Sequence, residues 1–259
     1  MNPGRTLQPR RLLAEYLGSL LLVVAVVGSG IMAAKLSPGD VGVQLLENSI
    51  ATMLALAVLI LVLGPVSGAH FNPVVTAADW WLHRRDPDHT GVAELGGYVG
   101  AQVIGAISGT IVANLMFGLP AVTWATTTRT APHLWIGETV ATAGLILLIF
   151  ALVRTGRTQY APAAVGAYIG AAYWFTSSTS FANPAVTIAR AFTDTFAGIS
   201  PASVPGFVAF QIVGAALGLG LAVVLYPRTR TVAGDTAVIE PAGNRVPALL
   251  TELTQEPTR

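Results

Sequence analysis

Two Asn-Pro pairs, Asn72-Pro73 and Asn183-Pro184, are the residues of this chain best placed to do chemistry. Each follows a stretch containing Gly, Ser or Thr and precedes a short apolar segment. Asn is a strong helix N-cap, and Pro suits the first helical turn, where its missing N–H would be unbonded anyway. One such pair would be a routine helix start. Two pairs in equivalent places of an inverted repeat imply two helices that begin at a shared point. Helix N-termini carry about half a positive charge each, so two facing ones raise the potential between them. That field opposes cations, hydronium included. An Asn amide hydrogen left over from capping can hold the oxygen of a passing water or hydroxyl. A water gripped this way donates outward on both sides, which breaks proton hopping.

The repeat is legible around both pairs. Ser67-Gly-Ala-His-Phe-Asn72-Pro-Val74-Val-Thr76 matches Ser178-Thr-Ser180-Phe-Ala-Asn183-Pro-Ala185-Val186-Thr187. Farther on, Ala101-Gln-Val-Ile-Gly105-Ala-Ile-Ser-Gly109 matches Phe210-Gln-Ile-Val-Gly214-Ala-Ala-Leu-Gly218. Upstream, Glu15 and Glu138 each sit early in the first long apolar segment of their half. An ionisable group there is expensive and must face inward with a partner. Two matching copies fit a structural role better than a proton relay. The Gly105/Gly109 and Gly214/Gly218 spacing lets helices approach closely and reads as packing.

Other chemistry is absent from the sequence. There is no cysteine, hence no disulfide, thiolate metal site or Cys nucleophile. Neither His-Glu-x-x-His nor Gly-x-Ser-x-Gly occurs. His70 has no second His near it in sequence, so no metal site is expected, and His83 and His89 flank Arg84 and Arg85 in a polar, solvated segment.

The elements that must position these residues follow from where charge is missing. Only 10% of the 259 residues are charged and 53% are hydrophobic, against about a quarter charged in a soluble domain. Residues 16–34, 48–69, 95–128, 158–189 and 195–227 hold no Asp, Glu, Lys or Arg. Each is long enough to cross a hydrocarbon core, which needs about 20 apolar residues. The expectation is an all-α membrane protein with six spanning helices, over 12–34, 43–64, 94–117, 134–153, 160–176 and 204–226. Segments 72–82 and 183–193 are too short to span. Eleven helical residues rise only about 16 Å, so they must be re-entrant half-helices sheltered by protein or water. Three spans per half is an odd number, so the second half must be inverted relative to the first. Inverted repeats with broken helices place the functional site near the midplane.

Basic residues set the orientation. With the N-terminus in the cytoplasm, 11 of the 14 Lys and Arg lie inside, and only Lys35, Arg129 and Arg190 fall outside. Both termini are expected in the cytoplasm of a cell with this protein in its plasma or inner membrane. The organisation reads as a cytoplasmic segment 1–11, a membrane domain 12–226 with halves 12–117 and 134–226, and a floppy tail 227–259.

With these motifs in hand, the chain resembles the major intrinsic protein family, the aquaporins and aquaglyceroporins. The resemblance covers residues 12–226. It implies a homotetramer in the lipid bilayer with one pore per subunit, passing water and small neutral solutes without cofactor; nothing points to nucleic acid. It implies a pore centre at Asn72, Pro73, Val74, Asn183, Pro184 and Ala185. Glu15 and Glu138 would brace the re-entrant loops, and His70 would help hold the cytoplasmic one.

The outer constriction departs from the family pattern. Water-selective relatives place an Arg at the third residue after the second Asn; here it is Val186. The other positions map to Thr52, Ser180 and either Gly170 or Ala171. These small, uncharged residues predict a wider filter, suited to polyols, urea or undissociated metalloid acids such as arsenite and boric acid. Arg190 shares a helix face with Val186. It either leans toward the mouth or, as the charge pattern favours, pairs with Asp194 four residues on. Two other readings of the whole pattern stay open: a strictly water-selective channel, and a secondary transporter, which also uses inverted repeats. Adhesive use of a closed channel fold is a further one.

Overall fold

The computed structural model describes residues 8–85 and 91–227. Residues 1–7, His89 and the expected tail beyond Pro227 lie outside them, as do Arg5, Arg228, Arg230, Arg245 and Arg259. Eight helices make up the described chain. They are α1 (Pro9–Leu36), α2 (Val41–Ser67), α3 (Pro73–His83), α4 (Val92–Met116), α5 (Pro132–Arg154), α6 (Ala161–Phe175), α7 (Pro184–Ala189) and α8 (Val204–Leu225).

Five of these, α1, α2, α4, α5 and α8 with its preceding turn, are long and apolar enough to cross a membrane. The sixth expected span is shorter. Helix α6 has 15 residues, which rise about 22 Å. The 3-10 turn Thr158–Tyr160 runs straight into it and adds about 6 Å, which brings the pair close to a hydrocarbon thickness.

Local chemistry explains the ends. The Asp40 carboxylate caps α2 by accepting from Val43 N at 3.0 Å, and Gly68 closes it in a left-handed conformation at φ 92°. Helices α1, α5 and α6 begin with Pro in the first turn. The long helices then pack by halves. Helix α1 lies against α4 and α5 against α8, while α2 meets α6 where the halves join.

The repeated glycines make the first two contacts possible. A Cβ on Gly105 would overlap the carbonyl of Tyr16, and one on Gly109 that of Leu20. The matching overlaps in the second half are Gly214 with Thr139 and Gly218 with Ala143. Backbones therefore approach to a distance no side chain allows. Large apolar side chains such as Leu54, Val58, Ile104, Leu217 and Val224 remain exposed on the outward faces, as lipid contact requires.

Between the long helices sit the two short ones. Helix α3 runs 11 residues, as expected. Helix α7 is only 6 residues of α-helix and continues as a 3-10 turn, Arg190–Phe192. The tightening has a tertiary cause. The carbonyls of Arg190, Ala191 and Phe192 accept from Ile199, Ala125 and Thr123, which draws the last turn onto the neighbouring loops.

Candidate functional site

Both short helices start at one place. Asn72 Oδ1 caps α3 by accepting from Val74 N at 3.1 Å. Asn183 Oδ1 caps α7, accepting from Ala185 N at 3.0 Å and Val186 N at 3.3 Å. The amide nitrogens then cross over. Asn72 Nδ2 donates to Ala182 O, and Asn183 Nδ2 donates to Phe71 O, each at 2.8 Å. Each amide has two hydrogens, so one per Asn remains. Both side chains line the central cavity, where that hydrogen can meet a solute oxygen.

The loops leading into these caps carry unusual backbone. Ala69, Phe71, Ser180 and Ala182 all have φ between 48° and 51°, a left-handed region that L-residues avoid. Such positions cost of order 1–3 kcal/mol each and persist only where the surroundings over-determine them. Here the two glutamates do so. Glu15 accepts from His70 N at 3.0 Å and Phe71 N at 2.7 Å. Glu138 accepts from Phe181 N and Ala182 N, both at 2.9 Å. Both carboxylates are fully buried.

A second layer holds the glutamates. Gln102 Nε2 donates to Glu15 Oε2 and to Thr76 Oγ1, while Gln211 Nε2 donates to Glu138 Oε2 and to Thr187 Oγ1. Sequence reasoning did not assign these Gln and Thr residues a role. Their signal was present, since all four stand at matched places of the repeat. His70 donates its backbone N–H to Glu15, its Nδ1 lies 3.2 Å from Thr76 Oγ1, and its ring faces both Tyr98 and the cavity. His83 is paired rather than merely solvated, with Nδ1 3.2 Å from Asp79 Oδ1.

A cavity of about 670 Å³ passes the Asn pair. At one end it reaches Gly64, Asp79, Thr158 and Gln159, on the face where α1 begins. At the other it reaches Thr52, Tyr173, Val186 and Arg190. Leu22, Val26, Leu56, Ile60, Leu145 and Ile149 form its apolar wall, and the Asn side chains and cap loops form a polar stripe. Among the described residues no group of three or more His, Cys, Asp or Glu could hold a metal ion.

Several expected site residues are placed elsewhere. Pro73, Val74, Pro184 and Ala185 are not on the cavity wall. They set the helix starts, and Val74 and Ala185 pack into buried apolar clusters instead. Neither Gly170 nor Ala171 lines the cavity. Gly170 faces Met53 of α2, where a Cβ would come within 2.9 Å of the sulfur, and Ala171 points outward. The α6 residue at this mouth is Tyr173, two to three positions on. It is buried, and its hydroxyl donates to Thr52 Oγ1 at 3.2 Å. Helical phase explains the difference: α6 turns its Val165, Ile169 and Tyr173 face to the cavity. Thr52, Ser180 and Val186 do line it, and Ser180 Oγ finds no protein partner.

The pairing of Arg190 with Asp194 does not occur. Asp194 Oδ1 instead accepts from Thr126 N and Thr126 Oγ1. Arg190 leans to the cavity, stacked on Phe181 with its guanidinium carbon 3.4 Å from the ring centroid, and its Nε donates to Ala197 O.

A membrane bundle of this kind, with two short helices capped by asparagines that each bond the other's loop beside one long cavity, has the architecture of an inverted-repeat channel. The sequence profile of the major intrinsic protein family matches residues 5–181, stopping just short of Asn183. The chain is 51% identical over 215 residues to aquaglyceroporin AqpS of Rhizobium meliloti (strain 1021), covering 82% of this chain and 88% of that one. It is 31% identical over 242 residues to the lens fiber major intrinsic protein of Gallus gallus, covering 89% and 87%. Among solved structures, the X-ray structure of the aquaglyceroporin from Plasmodium falciparum superposes with a TM-score of 0.65. That match covers 84% of this chain and 97% of that one at 21% identity, which is a likeness of fold. The chain belongs to the major intrinsic protein family of membrane channels and is a multi-pass membrane protein.

Proposed function

We propose that the protein is a passive channel for water and small uncharged solutes, glycerol-like polyols first, with urea and undissociated metalloid acids in the same class. It sits in the cell membrane as a homotetramer with both termini cytoplasmic, and the Thr52–Tyr173–Val186 mouth is then the outer one. The observation that carries this reading is the pair of cross-bonded Asn amides on the wall of one cavity that runs from the Gly64 and Gln159 end past both to Thr52 and Arg190. Neutral solutes exchange water contacts for the spare amide hydrogens and cap-loop carbonyls. Cations meet two helix N-termini and find no carboxylate there to replace their hydration, since Glu15 and Glu138 are spent on backbone N–H groups. The solute class rests on Val186 at the position where water-selective relatives carry Arg, on the free Ser180 hydroxyl, and on the 51% identical relative named an aquaglyceroporin.

Stopped-flow light scattering on proteoliposomes, with water, glycerol, urea and arsenite on one preparation, tests the proposal. The expected result is glycerol flux above protein-free vesicles that rises linearly with gradient and ignores ion gradients. Saturable, gradient-coupled uptake would instead establish a transporter. In Val186→Arg, a second guanidinium narrows the mouth, and glycerol flux falls by roughly tenfold or more, a barrier increase of about 1.4 kcal/mol. Undiminished glycerol flux in that variant refutes the wide-filter reading.

A further inference from the structure

Counting from the two asparagines exposes a second symmetry. Val75 and Val186 are each the third residue after their Asn, and Asp79 and Arg190 are each the seventh. Residues four apart share a helix face, and all four line the cavity. Equivalent positions of the repeat thus put a carboxylate at one mouth and a guanidinium at the other.

The two are not equally compensated. Asp79 is partly exposed and pairs with His83 at 3.2 Å. Arg190 is only 3% exposed. Among the described residues Arg11 pairs with Glu94, and His83 stands beside Asp79 as an ion pair when its imidazole is protonated, whereas Arg190 has no carboxylate within ion-pair distance. The one hydrogen bond of its side chain runs from Nε to Ala197 O, and its flat face rests on Phe181, so no protein acceptor among the described residues takes its Nη groups. Phe181 is itself pinned through its N–H to Glu138. A second guanidinium, Arg129, lies 5.3 Å from the same ring. Burying an unpaired cation is expensive unless water or solute solvates it, and here only the cavity supplies either.

We infer that Arg190, one helical turn beyond Val186, is the cation barrier of the outer mouth. The mouth then has two tiers: an uncharged ring of Thr52, Tyr173 and Val186 that sets width, and above it a fixed positive charge that repels protons and metal cations. Width and charge, when one Arg supplies both, cannot vary separately. Here they are on different residues, so the pore admits bulkier neutral solutes while keeping its electrostatic barrier. The inference rests on the channel reading above.

The test measures proton flux with an entrapped pH-sensitive dye under a potassium diffusion potential, and osmotic water permeability on the same vesicles. Arg190→Gln is expected to raise the ratio of proton flux to osmotic water permeability by roughly tenfold or more, a fixed charge at several ångströms being worth that much in a partly dry site. Arg190→Lys, which restores the charge without the planar stack, is expected to stay near the wild-type level. A proton-tight, water-permeable Arg190→Gln overturns the inference, and so does an Arg190→Lys that leaks equally, because the residue would then act through packing. If Arg190→Gln yields no water-permeable vesicles, Val186→Asp and Val186→Asn decide. The carboxylate one turn away neutralises Arg190 in place, so a leak confined to Val186→Asp supports the barrier and equal leaks refute it. Absence of water flux in the wild type would fail the channel reading instead.

Discussion

Asn72 and Asn183 hold each other's loops: each amide nitrogen donates, at 2.8 Å, to the carbonyl of the residue preceding the other asparagine. The reciprocal bond spans more than a hundred residues of sequence and fixes the distance between two helix N-termini. Each oxygen simultaneously caps its own helix. The orientation of both amides is therefore set, and the one remaining N–H on each has a single direction in which to point.

Replacing either oxygen-nitrogen pair with a carboxylate removes this. Asn183→Asp keeps the cap but cannot donate to Phe71 O, and it places a negative charge where the two N-termini meet. Proton flux in dye-loaded vesicles rises by roughly tenfold or more, since a carboxylate cancels the positive ends nearby. Asn72→Asp behaves alike because its bonds mirror those of Asn183. Vesicles that stay proton-tight with either substitution would rule out the central barrier.

The glutamate braces predict a stability effect rather than a selectivity effect. Glu138→Gln presents an NH2 group toward the Phe181 or Ala182 N–H or toward Gln211, so at least one charge-assisted bond is lost. Such bonds are worth about 1.5–3 kcal/mol each. The melting temperature of the detergent-solubilised protein drops by several degrees, at about 2–4 °C for each kcal/mol. Glu15→Gln costs a comparable amount. An unchanged melting curve for both variants would show that the loops hold their left-handed residues without help.

Glycine substitutions separate packing from propensity. In Gly105→Ala the new Cβ meets the Tyr16 carbonyl, α1 and α4 must part, and the cost is about 1–3 kcal/mol. In Gly100→Ala, on the same helix, nothing lies within 4 Å, and the better helix former gains up to about 1 kcal/mol. Thermal unfolding monitored by size-exclusion chromatography distinguishes the two. Equal melting temperatures would contradict the close α1–α4 approach.

Tyr173 lines the cavity beside Thr52 and Val186. Removing its ring in Tyr173→Ala enlarges the cavity at this mouth and frees Thr52 Oγ1 from its hydroxyl donor. Flux of a four- or five-carbon polyol then rises relative to glycerol, measured by light scattering on the same vesicles. A ratio identical to wild type would assign the narrowest point to another residue.

Most of the architecture was legible in the chain. Charge-free stretches give the long helices, because uncompensated charge cannot cross hydrocarbon. Two Asn-Pro pairs inside a repeat give the short ones, because a cap and a Pro have few other uses at matched positions. Glu15 and Glu138 were legible as inward-facing for the same electrostatic reason. The Gln102–Thr76 and Gln211–Thr187 partners were marked only by their matched places in the repeat, since the residue types, uncharged polar ones, are common in spanning helices.

Only the tertiary structure decided the outer mouth. Counting along the chain placed the α6 contribution at Gly170 or Ala171, yet a shift of two or three residues on a helix rotates a side chain most of the way round, and Tyr173 faces the cavity instead. The spacing favoured a pair between Arg190 and Asp194; instead Thr126 took that carboxylate, and Phe181 offered the guanidinium its face. Spacing and hydropathy determine which segments cross, which stop halfway and which ends must meet, because those are costs each segment bears alone. Where a given side chain points depends on which neighbour from a distant segment arrives first with a matching donor, acceptor or ring, and that is settled only when the helices pack.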